Sequence, residues 1–135
     1  MTKDVLIVDD SALMRSFIQR TLLVSGLEIG HCLEASNGAE ALVLLQNRQV
    51  DLILTDLNMP VMDGEELLEN LHSNSALCAL PVIVISTDST HKRAEQLHLK
   101  GVSGYLCKPF TPEQLIGLLR GALPGWGADP METSP

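Results

Sequence analysis

Short, unbroken apolar runs, each closed by a polar residue, constrain this chain more than any other feature. Val5-Leu6-Ile7-Val8 runs straight into Asp9-Asp10, the segment Asp51 to Thr55 (DLILT) into Asp56, and Val82 to Ile85 into Ser86. Continuous apolar runs of this length suit strands covered on both faces, as in a parallel sheet, rather than strands with one wet face. Ile29 to Glu34 is a weaker run, and Tyr105 to Cys107 is a brief one closed by Lys108-Pro109.

Stretches with helical spacing stand between these runs. Ser11 is placed to cap a helix with Met14, Phe17, Ile18 and Leu22 on one face, ended by Gly26. Asn37-Gly38 reads as a turn, after which Ala41, Leu42 and Leu45 recur at helical spacing. Leu67, Leu68 and Leu71 mark a third helix, and Ala94 and Leu97 a short fourth bounded by Gly101. Thr111 caps the last, with Pro112 at its first position, Glu113 in its first turn and Leu115, Leu118, Leu119 and Ala122 inward. Five strands alternating with five helices predict a doubly wound, five-stranded parallel α/β sheet, flavodoxin-like with strand order 2-1-3-4-5. Residues 1–123 are expected to form this domain. The segment 124–135 (PGWGADPMETSP), rich in Pro and Gly, is expected to be a disordered tail or the start of a linker.

Composition narrows the function. The chain has 135 residues, the size of one domain, with a formal charge of -8 and pI near 4.8. Such a surface repels phosphate backbones, so direct nucleic-acid binding is not expected. No apolar stretch approaches the ~18 residues of a membrane span, and the start MTKDVLIVDD is unlike a secretory leader. Cys32, Cys78 and Cys107 fit neither a zinc pattern nor a disulfide framework, which points to reduced thiols and a cytoplasmic setting. Cys107 reads as an inert buried thiol. His31, His72, His91 and His98 are scattered and form no metal set, and His91-Lys92-Arg93 reads as a solvated helix face.

In a parallel sheet, ligands bind at the carboxyl ends of the strands. The predicted strand ends carry Asp9, Asp10, Asp56, Ser86 and Lys108, so three carboxylates, a hydroxyl and an ammonium converge on one edge. Clustered carboxylates repel unless a cation intervenes, and Mg²⁺, a hard ion that takes oxygen ligands, is the natural one. Carboxylates, a divalent ion and a lysine are the parts that phosphoryl transfer uses, with a carboxylate able to serve as nucleophile. Asp56 is the candidate acceptor, because it stands between the acid pair and the hydroxyl and lysine in the expected sheet order.

The segments DVLIVDDS, LILTDLNMPVMDG, PVIVIST and GYLCKPF, in this order and spacing, resemble the signature segments of response-regulator receiver domains, nearest to stand-alone chemotaxis receivers. The resemblance runs from about Lys3 to Leu123. It implies that Asp10 and Asp56 bind Mg²⁺ directly, with Asp9 acting through water and the backbone carbonyl of Asn58 as a further ligand. It implies that Ser86 and Lys108 bind the phosphoryl group and that the Lys108-Pro109 peptide is cis. Ser86 and Tyr105 match the family's switch pair, and Asn58 and Asp88 match positions that tune dephosphorylation. Thr87 departs from the small residue usual there and narrows the entrance to the acceptor.

By the same resemblance, the expected partners are a sensor histidine kinase or phosphotransfer protein, and an output protein on the face of the fourth helix, fifth strand and fifth helix. The chain is expected as a monomer or a phosphorylation-linked dimer, not as an enzyme in the ordinary sense. A flavodoxin-like small-ligand-binding protein is the competing reading. It lacks support in a glycine-rich phosphate loop, since acids follow the first strand.

Overall fold

The computed structural model describes residues 2–87 and 91–123. Five strands, β1 (Lys3–Val8), β2 (Ile29–Ala35), β3 (Leu52–Thr55), β4 (Val82–Ser86) and β5 (Gly104–Cys107), alternate with five helices. These are α1 (Ala12–Leu23), α2 (Gly38–Asn47), α3 (Gly64–His72), α4 (His91–Leu99) and α5 (Pro112–Ala122). All strand pairs are parallel, in the order β2-β1-β3-β4-β5.

The unbroken apolar runs have a direct consequence in the core. Side chains alternate across a strand, so each run feeds both faces. Leu6, Val8, Ile53, Val82 and Val84 meet Ala41 and Leu45 of α2, Leu67, Leu68 and Leu71 of α3 and Leu97 of α4. Val5, Ile7, Leu52, Leu54, Ile83 and Ile85 meet Ile18 and Leu22 of α1 and Leu115 and Leu119 of α5. Each large side chain buried this way contributes about 1.5–3 kcal/mol. A polar residue inside any of the central runs would leave one of the two cores short.

Helix starts are chemically marked. Ser11 Oγ accepts from the Met14 N–H, and Thr111 and Gln114 form a reciprocal capping box ahead of Pro112. Asp63 and Glu66 form another at α3. Asn37-Gly38 is not a free-standing turn: Asn37 caps α2, its side chain accepting from the Glu40 N–H, and Gly38 is the first helical residue. The dipeptide is the same in either role, and only the helical spacing behind it distinguishes them. Gly26 and Gly101 take φ of 85° and 90° in the connections after α1 and α4, conformations that glycine adopts without strain. The Lys108-Pro109 peptide is cis. The expected tail, 124–135, lies outside the described residues. Among the described residues, no helix is long and apolar enough to cross a membrane.

Candidate functional site

Sheet register assembles the site. Val8 pairs with Thr55 across β1 and β3, so Asp9 and Asp56 leave the two central strands side by side, and the Asp56 N–H donates to Val8 C=O at 2.9 Å. Ser86 ends β4 opposite Cys107 on β5, and the Lys108 N–H donates to Ser86 C=O at 2.8 Å. The sequence order of strands reverses at β1/β3, which opens a crevice at this edge of the sheet.

Lys108 lies at the centre of the cluster. Its Nζ donates to Asp9 Oδ2 at 2.8 Å and to Asp56 Oδ2 at 3.1 Å. Burial works against its charge, but the bonds and charges of Asp9 and Asp56 outweigh burial, and its pKa is raised above the ordinary lysine value. Asp9, Asp56 and Ser86 are 2%, 8% and 0% exposed, so their polar atoms depend on one another rather than on bulk water. The other Asp56 oxygen, Oδ1, accepts from the Leu57 N–H at 2.7 Å, and Asp9 Oδ1 accepts from the Ser11 N–H at 2.9 Å.

Asp10 is exposed at the rim, and carboxylate oxygens of Asp9, Asp10 and Asp56 all lie within 4.8 Å of one another. Three carboxylates against one ammonium leave two negative charges unmatched. An all-oxygen donor set with that charge fits a hard divalent cation such as Mg²⁺.

The loop after Asp56 is held at both ends by glycines. Gly64 N–H donates to Leu57 C=O at 2.9 Å, and a Cβ there would run into the Asp56 carbonyl oxygen. Gly38 N–H donates to Met62 C=O at 2.9 Å, and a Cβ there would meet Met62 Cγ at 2.8 Å. Between them Val61 sits at φ 67°, where a β-branched side chain is strained by about 1–3 kcal/mol. Asn58, in the same loop, is exposed.

Asp9, Asp10, Asp56, Ser86 and Lys108 therefore lie at one sheet edge, and Asn58 stands two residues beyond Asp56. Tyr105 is half-buried on β5 with its hydroxyl oxygen buried, and it lines a groove with Ala94, Glu95, His98, Leu99 and Val102. Asp88 lies outside the described residues. Thr87 is exposed next to Ser86.

Two expectations need correction. Cys107 is only half-buried, because β5 is an edge strand, and Cys78 is exposed in the α3–β4 connection. Arg93 is not on a merely solvated face: its Nη1 lies 2.8 Å from Glu65 Oε2. Sequence reasoning also passed over Arg15, whose Nη1 donates to Asp9 C=O at 2.6 Å while its Nε pairs with Glu34 at 2.8 Å. The available signal was its place one turn into the helix that the acid pair precedes.

A family model for the response regulator receiver domain matches residues 5–120. The chain is 36% identical over 111 residues to chemotaxis protein CheY-3 of Vibrio cholerae, covering 82% of this chain and 84% of that one. It is 33% identical over 123 residues to the probable transcriptional regulator ycf29 of Porphyra purpurea; this is 91% of the chain, which spans only 57% of that longer relative. The solved structure of chemotaxis response regulator CheY4 of Vibrio cholerae matches with a TM-score of 0.82 at 32% identity, covering 91% of this chain and 100% of that chain.

Proposed function

The chain belongs to the response regulator receiver family, and from that premise we propose that it is a phosphorylation switch whose acceptor is Asp56. Receiver domains are regulatory parts of two-component signalling, and membership supports a phosphoacceptor role. The finer reading is that a sensor histidine kinase or a phosphotransfer protein supplies the phosphoryl group in a Mg²⁺-dependent reaction.

The observation that carries this reading is the Lys108 ammonium bridging Asp9 and Asp56 at 2.8 and 3.1 Å. Leu57 N–H fixes Asp56 Oδ1, which leaves Oδ2, on the Lys108 side, as the attacking oxygen. The new bond joins this oxygen to phosphorus, while the bond from phosphorus to the donor nitrogen breaks and its electron pair leaves with the donor. Lys108 then follows the charge from the carboxylate to a phosphoryl oxygen, and the Ser86 hydroxyl donates to another. Asp9, Asp10, Asp56 and the Asn58 carbonyl would hold Mg²⁺, which supplies neutralisation of charge on the phosphoryl oxygens.

Ser86 and Tyr105 form the switch in this reading. Drawing Ser86 toward the phosphoryl group changes what packs beside Tyr105, and with it the groove along α4 and β5. The α4-β5-α5 face is then where an output protein binds in one state and not in the other. In this reading Asn58 and Asp88, which match the family's tuning positions, set the reset rate of the acyl phosphate, and Thr87 slows it by narrowing the entrance to the acceptor.

Incubation with a small phosphodonor and Mg²⁺ is expected to add one base-labile phosphoryl group, seen by intact mass, and Asp56→Asn is expected to abolish it. Full modification of that variant would refute the assignment.

A further inference from the structure

Asp10 is the exposed member of the acid cluster, so its direction depends on the backbone that carries it. That backbone is the Asp9–Asp10 peptide, a rigid plane whose carbonyl oxygen belongs to Asp9. Arg15 Nη1 donates to that oxygen at 2.6 Å. The guanidinium is in turn fixed by Nε on Glu34 Oε1 at 2.8 Å, and the Arg15 side chain is 17% exposed. Glu34 stands on β2, so the brace ties the acid loop to the neighbouring strand across the top of β1. Together with the Ser11 N–H on Asp9 Oδ1, it defines the orientation of the peptide from which both acids project.

We infer that Arg15 is a positioning residue for the metal: through the Asp9 carbonyl it presets Asp10 beside Asp9 and Asp56 for a divalent cation. This rests on the Mg²⁺ reading above. A planar fork suits the role, because it makes two directed bonds at once and remains charged, which a lysine cannot reproduce in both respects. Groups that orient metal ligands typically change affinity by 10–100-fold when removed.

Electrostatics alone predicts the opposite result. Arg15 is a cation near the site, so removing it without any loss of geometry would tighten Mg²⁺ binding. The sign of the change therefore separates positioning from charge. Titration calorimetry of the unphosphorylated full chain with MgCl₂ would compare wild type, Arg15→Met, Arg15→Lys and Asp10→Ala, with metal-free melting temperatures alongside. Mg²⁺ affinity is expected to fall about tenfold in Arg15→Met and nearly as far in Arg15→Lys. Affinity unchanged or increased in Arg15→Met, or unchanged in Arg15→Lys, overturns the inference. Arg15→Lys keeps the charge and the stem, so it serves as the test if Arg15→Met does not fold. If Asp10→Ala abolishes binding while both Arg15 variants bind normally, only the positioning role fails. If wild type binds no Mg²⁺, the metal reading falls with it.

Discussion

Lys108 takes part in two opposing balances. It bridges Asp9 and Asp56, whose burial would otherwise leave two carboxylates facing each other, and it offsets negative charge that a divalent ion could use. Lys108→Met is therefore expected to lower metal-free stability yet raise Mg²⁺ affinity by roughly tenfold, the scale of one unit charge a few ångströms away in a partly wet site. It is also expected to slow phosphoryl transfer sharply, because no ammonium remains to follow the transferred charge. Calorimetric titration beside a single-turnover phosphorylation assay would read both, and weakened Mg²⁺ binding would contradict this balance. At this scale the sequence was informative wherever a residue's identity and strand-end position sufficed, as for Asp9, Asp10, Asp56, Ser86 and Lys108. It was silent on Arg15, whose role depends on reaching a backbone carbonyl and a carboxylate 19 positions away on another strand.

Among the elements, α4 has the weakest apolar attachment visible in its sequence: Leu97 is its one fully buried side chain among the described residues. Polar ties to α3 supplement it. Glu65 Oε2 lies 2.8 Å from Arg93 Nη1 and 3.2 Å from Lys100 Nζ, and the bond from Arg93 outweighs desolvation to hold the Glu65 carboxyl at about 2. Glu65 follows Gly64, which packs on the Asp56 backbone, so the acceptor loop and the hold on α4 are adjacent in the chain. Glu65 is partly exposed, so solvent screening limits the two pairs to about 1 kcal/mol together. Glu65→Gln is expected to lower the melting temperature by about 4 °C at neutral pH. A carboxyl whose folded pKa lies below its ordinary 4.5 stabilises fully above that value and loses its contribution as pH falls through about 2. The gap between wild type and variant should accordingly shrink from pH 5 toward pH 2 in thermal melts; a pH-independent gap would point to packing instead of charge. Periodicity located α3 and α4 but could not show that one carboxylate serves two cations, since hydrophobic spacing carries no information about pairs across elements. Asn37 differs, because its role is local: the helical spacing of Ala41, Leu42 and Leu45 behind it is the signal that marks it as a cap.

For the whole molecule, the acid cluster exists only when the chain is folded. Asp9 and Asp10 follow the end of β1 and Asp56 follows the end of β3, two strands that the parallel order β2-β1-β3-β4-β5 makes neighbours, and the unfolded chain does not hold Asp56 beside the acid pair. This topology was legible because parallel, doubly covered strands need apolar residues on both faces, which is what the unbroken runs supply. A ligand that binds the folded state alone raises stability by mass action, by about 2.7 kcal/mol at a hundred times its dissociation constant. For a domain of this size that corresponds to a rise in melting temperature of about 10 °C. Bound Mg²⁺ would also relieve repulsion among the three carboxylates, so the rise should come from the residues proposed to hold the ion. Asp10→Ala is expected to remove most of the shift, and Asp9→Ala less, since Asp9 remains committed to Lys108 and to the Ser11 N–H. Scanning calorimetry across a MgCl₂ series would test this ordering. A wild-type melting temperature that does not move at millimolar Mg²⁺ would mean that Lys108 already satisfies the cluster, and the metal reading would fall.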